Sequence, residues 1–283
     1  MSTDVSRRVF FGTLASAAAL PALAGAATSV VATPPSAGKT LKLGVASYSM
    51  RKFTLDQALD MAKALGIQYM TFKDVHIPRS DPPETTRALR AKIEAAGITI
   101  MGGGTITMNN EPGQIRKDFV YAKNAGMPLI YASPDPAALD VIEAMVKEHD
   151  VRLVIHNHGP EDKWWPAPKD AYNAIKTRDK RMGLCIDIGH TTRTGTDPVQ
   201  ACLDCQDRLY DMHVKDLKVK TDKDSQVEVG RGVLDFPSLF RTLLKVGYQG
   251  QVGLEYEIKE ENPLPGMQES IAYMRGVLAA LTT

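Results

Sequence analysis

One beat runs through the chain from residue 41 to its end: a short apolar run, an amphipathic stretch at helical spacing, a small breaker, then the next apolar run. The apolar runs at 41–46, 67–72, 98–101, 128–132, 151–155, 183–186, 209–214 and 251–254 predict strands. The stretches at 55–65, 84–96, 114–125, 136–149, 169–176, 197–205, 235–246 and 267–281 predict helices. Leu55, Ala58, Leu59, Ala62 and Leu65 share one helical face, and Gly66, Gly97 and Gly126 fall where helices stop. Strands alternating with helices need crossover connections and give parallel sheets, so eight such units predict a single-domain α/β (β/α)8 TIM barrel. The 283 residues suit one barrel of about 250 residues behind a short leader.

That leader is legible. Ser6-Arg7-Arg8-Val9-Phe10-Phe11 opens an Ala-rich apolar segment, and Ala22-Leu23-Ala24 or Ala24-Gly25-Ala26 offers small residues to a peptidase. Residues 1–26 thus read as a twin-arginine signal peptide, ahead of an ordinary secretory signal or an uncleaved anchor. The apolar part is too short to span a bilayer firmly, so no stable membrane anchor is expected after cleavage. Residues 27–40, with Pro34-Pro35, read as a flexible linker, and 41–283 as the barrel. The twin-arginine route carries folded proteins, so a metal can be loaded before export to the periplasm.

Loss of Arg7, Arg8 and Asp4 with the leader takes 34 basic and 33 acidic residues to 32 of each. A neutral chain argues against nucleic acid as a partner, because phosphate binding needs a basic excess. Three cysteines make no disulfide framework, and the single Cys202/Cys205 pair on a predicted helix reads as packing rather than zinc or redox chemistry.

The chemistry gathers at strand ends. Leu153-Val154-Ile155 runs into His156-Asn157-His158, and Cys185-Ile186 into Asp187-Ile188-Gly189-His190. Leu209 to Met212 runs into His213, and Val252-Gly253-Leu254 into Glu255. Four of the six histidines lie at these ends, where a TIM barrel places its catalytic groups. Any one of them alone is as well explained by packing or an ion pair. Together, His156, Asp187, His213 and Glu255 form a candidate shell for one divalent metal ion. Two imidazoles with two carboxylates suit Mn first, with Zn, Co or Fe as the other fits, over Mg or Ca. Trp164 and Trp165 follow the same strand as His156 and offer aromatic faces to a ligand. Lys73 and His76 follow the second strand as candidates to hold a carbonyl or hydroxyl, and Gly102-Gly103-Gly104 suggests close backbone approach to a ligand.

Asp187-x-x-His190, His213-Val214-Lys215-Asp216, Gly230-Arg231-Gly232 followed by Asp235, and Gly250 leading to Glu255 together resemble the xylose isomerase-like barrels. These include sugar isomerases, ketose 3-epimerases and endonuclease IV, and the resemblance covers the C-terminal two-thirds of the chain. It implies that Lys215 and Asp216 line the rim and that Arg231 reaches a ligand oxygen. In the epimerases the ligands on these four strands are Glu, Asp, His and Glu, and the two glutamates serve as bases on opposite faces of the sugar carbon. Here His156 replaces the first, so symmetric two-glutamate epimerisation lacks one of its bases.

The resemblance implies a start in which metal chelation acidifies a C–H, Glu255 removes the proton and an enediolate is stabilised. His158, His190 or Lys73 then returns a proton or protonates a leaving group. The leading expectation is a periplasmic metal-dependent isomerase or epimerase of a small carbohydrate or keto-sugar. A 3-keto-glycoside lyase is the alternative, and a non-catalytic periplasmic sugar-binding protein the third. The neutral charge and the lack of a trinuclear ligand set disfavour a nuclease. Nothing in the residues fixes an oligomeric state.

Overall fold

The computed structural model describes residues 40–282. The leader expected at 1–26 and all but the last residue of the linker expected at 27–40 lie outside them. The strands are β1 (Lys42–Ala46), β2 (Tyr69–Phe72), β3 (Thr99–Met108), β4 (Leu129–Pro134), β5 (Arg152–His156), β6 (Met182–Asp187), β7 (Leu209–Val214), β8 (Asp216–Leu217), β9 (Gln226–Val227) and β10 (Gln251–Leu254). The long ones are parallel and close on themselves, with β1 paired to both β2 and β10, while β8 and β9 form a separate antiparallel ribbon. Around them run α1 (Leu55–Ala64), α2 (Pro83–Ala95), α3 (Pro112–Asn124), α4 (Leu139–His149), α5 (Pro168–Ile175), α6 (Ile188–Arg193), α7 (Pro198–Asp204), α8 (Phe236–Lys245) and α9 (Leu264–Thr282). The chain is thus the single TIM barrel expected.

Every residue of β6 and β10 is buried, as a strand covered on both faces requires. The main core lies between sheet and helices, where Phe119, Ile142, Phe236, Phe240 and Ile271 meet the outward faces of the strands. A smaller cluster of Leu129, Tyr131, Val154 and Cys185 is packed against half-buried Tyr210. Helices start where polar caps stand: Thr54 and Gln57 exchange bonds at α1, Asp197 caps α7 and Asp235 caps α8. Gly97, past the end of α2, has φ +78°, a left-handed conformation that closes the helix without a side-chain penalty.

Two expectations shift. β3 runs seven residues beyond Met101 to Met108, so Gly102-Gly103-Gly104 lies within a strand. A Cβ on Gly102 would stand 2.5 Å from the Tyr131 ring and one on Gly103 2.3 Å from Met127, so these two glycines make room for packing. The polar segment 216–232 is ordered by Asp216, whose buried carboxylate accepts the backbone N–H groups of Leu217, Gly230, Gly232 and Leu234 at 2.9–3.2 Å. Asp216 therefore ties down a loop instead of lining the rim. Cys202 and Cys205 are free and buried, and burial pushes both thiols up to about 12.

Arg208, just before β7, is fully buried and donates to four carbonyls, those of Lys176, Arg178, Asp179 and Met182. It thereby fixes the turn between α5 and β6. Arg208→Met keeps bulk but strands those acceptors, so it should lower unfolding free energy by about 3 kcal/mol, read by urea denaturation. A change under about 0.5 kcal/mol would show that solvent replaces the guanidinium at no cost.

Candidate active site

The carboxyl ends of β5, β6, β7 and β10 bring His156, Asp187, His213 and Glu255 together, with one ligand-type atom of each within 4.8 Å of the others. His156 Nε2 is 3.0 Å from His213 Nδ1 and 3.9 Å from Asp187 Oδ2, and His213 Nδ1 is 3.3 Å from Glu255 Oε1. Donors about 2.0–2.2 Å from a common ion stand at such separations from one another, so the four fit a divalent metal. Asp187 Oδ2 is buried and accepts no well-directed hydrogen bond, an orphan consistent with that use.

Local structure aims each group. Asp187 ends β6 and caps α6, its Oδ1 accepting the His190 N–H at 2.8 Å, which leaves Oδ2 turned toward the cluster. Asn157 clamps β5 to β6: its Oδ1 accepts the Asp187 N–H at 3.0 Å and its Nδ2 donates to Thr191 Oγ1 at 3.1 Å. The Tyr131 ring stacks on His213 at 5.5 Å. Gln226 of the β8–β9 ribbon donates to the Glu255 carbonyl at 2.8 Å.

Lys215, beyond β7, reaches back into the cluster. Its Nζ lies 3.2 Å from Asp187 Oδ2 and 3.0 Å from Glu255 Oε2, and it also pairs with Glu257. Burial disfavours its charge, but the three carboxylates outweigh that and hold its pKa well above the usual lysine value. Burial likewise opposes ionisation of Glu255, yet Lys215 and His213 hold its carboxyl well below the ordinary range. Burial, helped by Lys215, pushes His190 down to about 3, so that imidazole is neutral.

A cavity of ≈230 Å³ opens above the cluster. Ligand pockets for larger molecules start near about 300 Å³, so this one suits a single small, polar unit. His156, His158, His190, His213, Glu255 and Lys73 line it. Sequence reasoning missed Ser47, Tyr48, Thr71, Thr105, Tyr131 and Glu257 on the same wall, and Gly104, alone of its triplet, is exposed to it. Lys73 is held against the wall by a 2.9 Å bond to the Thr105 carbonyl.

Four expected substrate contacts lie elsewhere. Trp165 is buried, its indole N–H donating to the Pro134 carbonyl at 2.7 Å. Trp164 is 41% exposed and faces Lys163. Arg231 pairs with Glu269 on the surface. His76 is buried behind the wall, its ring nitrogens 2.9 Å from Ser47 Oγ and 3.2 Å from the Phe53 carbonyl oxygen, so it braces a lining residue.

Residues 137–277 match the sequence profile of the Xylose isomerase-like TIM barrel family. A 3-dehydro-D-guloside 4-epimerase from Escherichia coli K12 is 31% identical over 107 residues, 38% of this chain and 38% of the relative. An inosose dehydratase from Clostridium botulinum is 25% identical over 134 residues, 42% of this chain and 45% of the relative. The matched stretch thus spans about two fifths of these curated relatives. The crystal structure of an E. coli 3-keto-D-glucoside 4-epimerase superposes with a TM-score of 0.68 at 18% identity, over 83% of this chain and 99% of that one, a likeness of fold.

If the four side chains share an ion, purified protein should carry about one divalent metal per chain. Mn or Zn at 100 times its dissociation constant should then stabilise stripped protein by about 2.7 kcal/mol, a rise of about 5–10 °C in Tm. Metal analysis and calorimetry after chelation and reloading read both. No retained ion and an unmoved Tm would remove the metal centre.

Proposed function

We propose that this chain is a metal-dependent xylose isomerase-like enzyme that isomerises or epimerises a small sugar or keto-sugar by removing a proton beside a carbonyl. The convergence of His156, Asp187, His213 and Glu255 under a small polar cavity carries this reading. Relatives described as a 4-epimerase of a 3-dehydro sugar and as an inosose dehydratase support it. Mn is our first choice of ion for the mixed nitrogen and oxygen donors, then Zn, Co or Fe. The Arg7-Arg8 leader supports a periplasmic or otherwise exported location.

A divalent ion there supplies Lewis-acid polarisation of a substrate carbonyl. Lys215 keeps Glu255 ionised and oriented, so its carboxylate can take a proton from carbon. Neutral His190 offers a polar contact to a substrate oxygen without adding charge, and His158 and Lys73 stand on the same wall.

A second reading, a 3-keto-glycoside lyase, is favoured by His156. An imidazole where the resemblance places glutamate leaves one carboxylate base, which suffices for elimination.

Glu255→Gln keeps size and one oxygen donor but removes basicity. With metal bound, exchange of substrate C–H in heavy water, followed by NMR over a panel of keto-sugars and 3-keto-glycosides, should fall by about 100- to 10,000-fold. Undiminished exchange would place the base elsewhere.

His156→Glu restores the epimerase ligand pattern, so metal should remain while the product ratio moves toward the epimer. An unchanged product ratio would make His156 an interchangeable ligand. A chelator-insensitive lack of turnover across the whole panel would favour a sugar-binding protein.

A further inference from the structure

Two histidines of the cavity wall have outer partners of opposite character. His158 Nδ1 is 3.1 Å from Asp162 Oδ2, whereas His190 Nδ1 is 3.1 Å from Arg193 Nη1. An arginine has only N–H groups to offer, so His190 Nδ1 must accept, and its one proton sits on Nε2. An ionised carboxylate only accepts, so His158 Nδ1 carries a proton, and of the two neutral tautomers this partner selects the one whose lone pair is on Nε2. The rings stand 5.9 Å apart, centroid to centroid.

Both partners are built in. Arg193 is buried in α6 and pairs outward with Glu161. Gly159, at φ +86°, leaves the guanidinium room, since a Cβ there would be 3.0 Å from Arg193 Nη1. Asp162 Oδ1 accepts the backbone N–H groups of Trp164 and Trp165 at 2.8 and 2.9 Å, and the His158 N–H donates to the Trp165 carbonyl at 3.1 Å. The loop with the paired tryptophans is thus a brace that aims Asp162 at His158.

We infer that Asp162 and Arg193 are positioning residues that lock His158 and His190 in opposite tautomers, making His158 a second base and His190 a fixed hydrogen-bond donor. This rests on the proposed sugar chemistry and supplies the base that His156, standing in the place of a glutamate, removes. Where the C–H faces His158 rather than Glu255, His158 Nε2 takes the proton of the carbon beside the carbonyl. The C–H pair becomes the new C=C bond, and the carbonyl π pair moves onto oxygen, which the His190 Nε2–H bonds. The proton then leaves His158 for the former carbonyl carbon, while the adjacent hydroxyl becomes the new carbonyl and its proton passes to the first oxygen. Alternatively it goes to a hydroxyl on the next carbon, whose C–O pair leaves with it as the enolate re-forms the carbonyl and the C=C shifts one place. On either route no proton or electron is gained overall.

The test reads tautomers directly. The full chain, labelled with 15N-histidine and loaded with Zn, gives two-bond 1H–15N spectra, assigned with His158→Gln and His190→Gln. His190 should show a protonated Nε2 with bare Nδ1, and His158 the reverse. Arg193→Met should release His190 into mixed tautomers, while Arg193→Lys, which still donates, should restore one. Asp162→Asn should convert His158 to the Nε2–H form and cut substrate C–H exchange by about 100- to 10,000-fold at unchanged Zn content. If a variant does not fold, the wild-type spectrum decides alone. A protonated Nδ1 on His190, a protonated Nε2 on His158, or an imidazolium at either overturns the inference. Correct tautomers without turnover on any sugar leave it standing and count against the proposed function.

Discussion

Asp187 and Glu255 put two buried carboxylates in the barrel mouth, and like charges this close stay ionised together only beside a cation. Lys215 is the cation the chain itself provides, and much of the rim is shaped to admit it. Gly189 lacks a side chain where a Cβ would stand 2.4 Å from Lys215 Cγ. Glu257 takes part of the ammonium's charge, so Lys215 does not satisfy both inner carboxylates completely. Asp187 Oδ2 in particular keeps capacity to spare, which a divalent ion among the two imidazoles would use.

The same economy of position runs outward from the cluster. The parallel barrel delivers four strand ends to one rim, and each strand end is then held by the turn that follows it. Asp187 does so by capping α6, Asn157 by bridging β5 to β6, and Asp216 by gathering the long polar segment whose Gln226 supports Glu255. The histidines of the wall are fixed in turn by Asp162 and Arg193. Sequence features that look like ligand contacts, the tryptophan pair and His76, serve this bracing.

The strand ends were legible because burial demands apolar runs and chemistry interrupts them: β7 and β10 coincide with the runs at 209–214 and 251–254. The four ligand-type residues followed from position alone. α6 was not legible, since Ile-Gly-His-Thr-Thr-Arg is too short to show periodicity and its start depends on the Asp187 cap. β3 was cut short because three glycines after Met101 read as backbone approaching a ligand, although two of them only make way for Tyr131 and Met127. Arg231 was misplaced for a different reason. A loop arginine's partner lies far along the chain, here Glu269 on α9, and no local pattern announces it. Ser47, Tyr48 and Thr105 escaped notice because ordinary polar residues near strand ends carry no signal until the barrel closes.

Everything proposed for the site requires the four strand-end side chains to hold one ion with Lys215 outside its shell. Anomalous scattering from crystals of the protein grown with Mn measures this most directly. A single strong peak is expected about 2.0–2.2 Å from His156, Asp187, His213 and Glu255, with the Lys215 ammonium still bonded to the carboxylates but not to the ion. A peak elsewhere, or a Lys215 ammonium seated at the centre of the four with no ion bound, would contradict it.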